Sequence, residues 1–80
     1  MIYVQLTEWK PGLRKISLTK LLQRYAGLSL TDAKDLVDRY VAGDVVTVPV
    51  RSQLEADCLA RESADIGAIA RVRRDSIVST

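Results

Sequence analysis

With 80 residues, 48% of them hydrophobic and 28% charged along the whole length, the chain fits one small globular domain rather than a disordered segment. A domain of this size buries only about 60–65% of its unfolded surface, so its core has little surplus. The net charge of +2 is too small to imply nucleic acid by itself, the single cysteine can form no internal disulfide, and no apolar run approaches the ~18 residues of a membrane span.

Ile2 to Thr7 alternates apolar Ile2, Val4 and Leu6 with Tyr3, Gln5 and Thr7, which predicts a half-buried strand. Trp9-Lys10-Pro11-Gly12 reads as a loop, because Pro and Gly together break regular structure. Leu13 to Tyr40 then predicts two amphipathic helices joined by a tight turn at Ala26–Leu30. Leu18, Leu21, Leu22 and Tyr25 share one stripe of the first helix, and Ala33, Leu36, Val37, Tyr40 and Val41 one stripe of the second. Gly27 suits the left-handed residue that ends a helix. Thr31 is the expected cap of the second helix, with Asp32 favoured by the dipole in its first turn. Lys34 with Asp38, and Asp35 with Arg39, have the i,i+4 spacing of ion pairs on its outer face.

Gly43-Asp44 marks a turn, and the β-branched run Val45 to Val50 predicts a second strand. Pro49 cannot donate to a ladder, so that strand belongs at an edge. Ser52 and Glu55 form a capping box for a third helix with Ala56, Leu59, Ser63 and Ile66 on its core face, ended by Gly67. Ala68 to Arg73 predicts a third strand with Ala68, Ala70 and Val72 inward and Ile69, Arg71 and Arg73 outward. Residues 1–73 form the expected domain, and 74–80 a polar tail expected to fray. The predicted fold class is α+β: β-α-α-β-α-β, a two-layer sandwich of a three-stranded sheet with three helices on one face. Val4, Leu6, Leu18, Leu21, Leu22, Leu36, Val37, Tyr40 and Leu59 are its expected core.

Catalytic chemistry finds little purchase. The chain has no histidine, the commonest general base and metal ligand. Cys58 therefore has no histidine to activate it and no neighbouring metal-ligand cluster. Asp32, Asp35 and Asp38 lie on or near a solvated helix face. Gly27-Leu28-Ser29 lacks the spacing of a phosphate loop. The expectation is a non-enzyme with no catalytic residue, no metal and no cofactor. With no signal peptide ahead of the first strand, a cytoplasmic setting is expected.

Two features exceed what a core requires. Ile16 points roughly 160° from the core stripe of the first helix, beside Thr19, Lys20 and Gln23, with Arg24 at the rim. An exposed isoleucine ringed by cations suits an acidic protein surface. Residues 9–31 hold Lys10, Arg14, Lys15, Lys20 and Arg24, and no acid follows Glu8 until Asp32. No aromatic interleaves the cations of that helix face, and no nucleic-acid partner is expected for the chain. Leu54 and Cys58, with Ile69, give the second feature: either packing under the Trp9 loop or a patch that a homodimer would cover.

Gly27-Leu28-Ser29-Leu30-Thr31-Asp32-Ala33-Lys34-Asp35-Leu36-Val37-Asp38 closely resembles the Gly-Leu-Gly-Leu-Lys-Glu-Ala-Lys-Asp-Leu-Val-Glu signature of a known family. That family is the C-terminal domain of the bacterial ribosomal large-subunit stalk protein, number seven/twelve. The likeness extends through Lys15, Ile16 and Lys20 on one side and Ala56, Leu59 and Gly67-Ala68 on the other, roughly residues 4–72. It implies the same β-α-α-β-α-β fold and a surface that recruits translational GTPases. The partner-binding positions it implies are Lys15, Ile16, Lys20 and Lys34, with Gly27 and Leu30 shaping the turn. Thr19 and Gln23 complete the face, standing where the family has isoleucine and arginine. The family's N-terminal dimerisation segment and hinge have no counterpart in these residues, so a stand-alone paralogue with its own partner is expected. The adaptor of the Clp protease shares the fold and is the alternative. Its Asn-Asp-Asp segment and histidine are replaced here by Thr7-Glu8-Trp9-Lys10 and by no histidine at all. A homo-oligomeric structural protein is the third option.

Overall fold

A computed structural model of the chain describes residues 2–74. The order is β1 (Ile2–Trp9), α1 (Lys15–Ala26), α2 (Leu30–Val41), β2 (Val46–Val50), α3 (Gln53–Asp65) and β3 (Ala68–Arg74). The α+β fold read from periodicity is the fold observed. β1 is the central strand, antiparallel to β2 on one side and β3 on the other. Pro49 lies in β2, an edge strand, where its missing N–H is tolerated.

Alternation decides which side of the sheet the helices close over. Val4 pairs with Val48 and Val72, and Leu6 with Val46 and Ala70, so one face is apolar across all three strands. Val4, Leu6, Val46, Val48 and Val50 are buried against Leu18, Leu21 and Leu22 of α1, Ala33, Val37 and Tyr40 of α2, and Ala56 and Leu59 of α3. Leu36, expected in the core, is half-buried at its border.

Several boundaries differ from expectation, each for a local reason. Thr31 is not the cap of α2. The helix begins one residue earlier, at Leu30, and Ser29 in extended geometry accepts the Asp32 N–H at 3.1 Å. Gly27 ends α1 in the left-handed region, φ 68° and ψ 23°, as its lack of a Cβ allows. At α3, Ser52 accepts the Glu55 N–H at 3.2 Å. The carboxylate of Glu55 turns to Arg51, 3.7 Å away, so only half of the capping box closes. Leu13 and Arg14 precede α1, and Arg14 donates its N–H to the carbonyl of Ile66 at 3.1 Å, tying the β1–α1 loop to the end of α3. Arg74, placed in the tail by sequence, continues β3; the rest of that tail lies outside the described residues.

β1 also runs further than the alternation implies. Leu6 pairs with Ala70, but Glu8 pairs with Ile69 and Trp9 with Ala68, which leaves Thr7 as the extra residue of a β-bulge. Trp9 is therefore a strand residue, not a loop residue. The bulge breaks the ladder, and Tyr40 from α2 repairs it. Its hydroxyl donates to the Glu8 carbonyl and accepts the Ile69 N–H at 3.3 Å. Burial pushes the Tyr40 phenol above its ordinary value, because a phenolate there would lose its hydration. A second phenol joins α1 to α3: Tyr25 donates to the carboxylate of Glu62, and that bond raises its pKa.

Ser63 is fully buried on α3, and its hydroxyl oxygen has no hydrogen-bond partner among the described residues. Ser63→Ala removes an unpaired polar group from the core and leaves the helix intact. The expected result is an unchanged or raised urea midpoint, with a gain of up to about 1–3 kcal/mol. A lowered midpoint would show that the hydroxyl is satisfied in solution.

Candidate functional site

The three-residue turn between α1 and α2, Gly27 to Ser29, sets the site. With Gly27 left-handed and Ser29 extended, α2 folds back along α1 and a groove of about 440 Å³ opens between them. Lys15, Ile16, Thr19, Lys20 and Gln23 line it from α1, and Leu30, Lys34, Val37 and Asp38 from α2. Seven of the eight residues singled out by sequence therefore meet on one surface. Gly27, the eighth, shapes the turn and does not line the groove.

Within the groove the residues divide by depth. Ile16 is 75% exposed and Leu30 55%, so two aliphatic side chains stand at the surface with solvent around them. Thr19 is only 7% exposed and shares the groove with buried Val37. This corrects its placement on the outer face beside Lys20. α2 packs along the side of α1 that carries Thr19. The Thr19 hydroxyl donates to the Lys15 carbonyl at 2.9 Å, so its burial leaves no polar group unpaired. Gln23 is half-buried at the same seam. Val37 and Asp38 were not singled out for the site; their signal was the i+3 and i+4 spacing from Lys34 on α2.

Electrostatics leave the groove positive. Lys15, Lys20 and Lys34 are exposed and Asp38 is its one acid. The expected pair Lys34–Asp38 does not close. Among the described residues the ion pairs are Asp35–Arg39 and Arg51–Glu55, each at 3.7 Å. Asp35–Arg39 is solvent-exposed and contributes little to stability. Among the described residues the three groove lysines thus close no ion pair.

The arrangement offers an apolar strip with cations around it. Among the described residues no three His, Cys, Asp or Glu side chains gather as metal ligands would. No described helix is long and apolar enough to cross a membrane. The patch expected from Leu54, Cys58 and Ile69 is not one surface. Leu54 is 72% exposed and Cys58 half-buried on α3, whereas Ile69 is half-buried on β3 among the outward positions of the sheet. No protein-family model and no curated protein matches the chain.

Proposed function

We propose that the chain is a non-catalytic protein-binding module whose recognition surface is the α1–α2 groove. The observation that carries this reading is the exposure of Ile16 and Leu30 along a groove whose three lysines close no ion pair among the described residues. Two exposed aliphatic side chains bring little benefit to a small domain alone, and they give a partner something to bury. The lysines steer an acidic surface and set its orientation more than its affinity. The likeness of residues 27–38 to the ribosomal stalk signature supports a translational GTPase as the class of partner, and a lone half-buried cysteine suits a reducing, cytoplasmic setting.

Such an interface is weak and salt-sensitive, on the order of micromolar at moderate ionic strength. Ile16→Ala is expected to weaken binding to a purified bacterial translational GTPase about tenfold, equivalent to ~1.4 kcal/mol, with the melting temperature unchanged. Lys20→Glu slows association and flattens its salt dependence. Shift mapping of the labelled domain checks both, with perturbations expected at Ile16, Lys20, Leu30 and Lys34. Perturbations confined to α3, with Ile16 silent, would remove the groove as the binding surface. Capture of a protease chaperone instead of a GTPase would replace the partner class with that of the Clp adaptor.

A further inference from the structure

The side of the sheet away from the helices carries two complete cross-strand rows. Pro49, Tyr3 and Arg73 form one, and Thr47, Gln5 and Arg71 form the other. These positions alternate with the buried Val4 and Val48, so they point away from the core. Thr47, Pro49, Arg71 and Arg73 are exposed, while Tyr3 and Gln5 are half-buried in the central strand between them. Among the described residues no helix covers this face.

The chemistry of the two rows is unlike that of the α1 surface. No aromatic lines the α1–α2 groove among its lysines; here Tyr3 lies directly beside Arg73 in register. Neither row contains a carboxylate, and among the described residues neither arginine closes an ion pair. The first acid along β1 is Glu8, beyond the bulge. In a chain of net charge only +2, these two rows hold an aromatic ring and two guanidiniums that close no ion pair among the described residues. Arg71 and Arg73 stand two strand residues apart, roughly 6.6 Å, a spacing on the scale of successive phosphates in an extended strand.

We propose that the outer sheet face binds single-stranded nucleic acid, with Tyr3 stacking on a base, Arg71 and Arg73 each meeting a phosphate, and Gln5 and Thr47 reaching base edges. An open sheet with an aromatic at its centre can receive bases that are splayed out, which a duplex keeps stacked inside. An acidic peptide would satisfy the arginines but leave the ring beside Arg73 without a role. A second copy would bring arginine against arginine. The surface lies across the sheet from the α1–α2 groove, so its occupation is independent of a protein bound there.

Fluorescence anisotropy with a labelled short oligouridylate tests this at low and rising salt. Saturable binding is expected. Tyr3→Ala should weaken it about fivefold or more, and Tyr3→Phe, which keeps the ring, should not. The double variant Arg71→Gln with Arg73→Gln should reduce the slope of log K against log salt by about 1.4 in magnitude, 0.7 for each lost phosphate contact. Both arginines are exposed, so that variant keeps the test decisive even where Tyr3→Ala lowers the melting temperature. Ile16→Ala should leave oligonucleotide binding unchanged, which separates this surface from the groove. The proposal is overturned by absence of binding at low salt, by equal affinity for a duplex of the same sequence, or by an oligoglutamate of equal charge competing as well as the oligonucleotide while Tyr3→Ala has no effect.

Discussion

Leu22→Ala is expected to lower the unfolding free energy by about 2–5 kcal/mol. Leu22 is fully buried on α1 at the centre of the layer between the sheet and the other helices. Removing its isobutyl group forfeits transfer free energy and leaves a cavity whose walls belong to several elements, so no single rotamer change can fill it. A chain of 80 residues at ~0.05–0.15 kcal/mol per residue holds about 4–12 kcal/mol in all. The variant should therefore be partly unfolded near physiological temperature. Urea melts of Leu22→Ala beside Leu54→Ala check the claim, because the exposed Leu54 should cost less than about 0.5 kcal/mol. Equal losses at the two sites would remove Leu22 from the core.

Tyr40→Phe is the second large effect, and the more informative. The substitution keeps the ring and removes one oxygen that serves two backbone groups, the Glu8 carbonyl and the Ile69 N–H. Both lose the hydroxyl that serves them at the bulge, at a cost of about 1–3 kcal/mol. Amide exchange should report the site directly, with faster exchange at Ile69 than stability alone predicts. The same hydroxyl gives a pH dependence. The folded-state pKa of Tyr40 lies above the ordinary phenol value of 10.0, so the native state holds this proton more tightly than the unfolded chain does. Its contribution is fully present below pH 10 and is lost as pH rises from there through the folded pKa. Tyr25, also raised by its bond to Glu62, acts in the same direction. Tyr40→Phe should flatten the alkaline fall in stability and leave the Tyr25 part. An alkaline profile identical to the wild type would show that Tyr40 does not carry the effect.

What was legible in the sequence depended on how local its cause was. The helix periods, the left-handed Gly27, the edge position of Pro49 and the Ser52 cap are each decided within a few residues, and each is found in the structure. Ser29 and Thr31 can both cap a helix, and only the course of the turn selects Ser29. The bulge at Thr7 was invisible, since it is a mismatch between β1 and β3, more than sixty residues apart, stabilised by a hydroxyl from α2. Thr19 shows the limit for the site. A helical wheel places it with Lys20, but α2 covers it, and a hydroxyl that can donate to its own helix gives no polar signal against burial. The groove itself was foreshadowed as a set of residues on α1 and α2; its floor required the angle at which the two helices meet.

Pro49 has a consequence beyond its place in the ladder. β2 is one of two strands whose outer side could accept another chain, and at the fourth of its five residues the hydrogen that such a chain would seek is missing. At the other margin, two molecules meeting through β3 would oppose Arg71, Arg73 and Arg74 to their own copies. Strand-by-strand growth into ribbons or fibres is thus discouraged at one margin by a covalent ring and at the other by charge, which lets a chain with so small a core stay dispersed when crowded among its own kind.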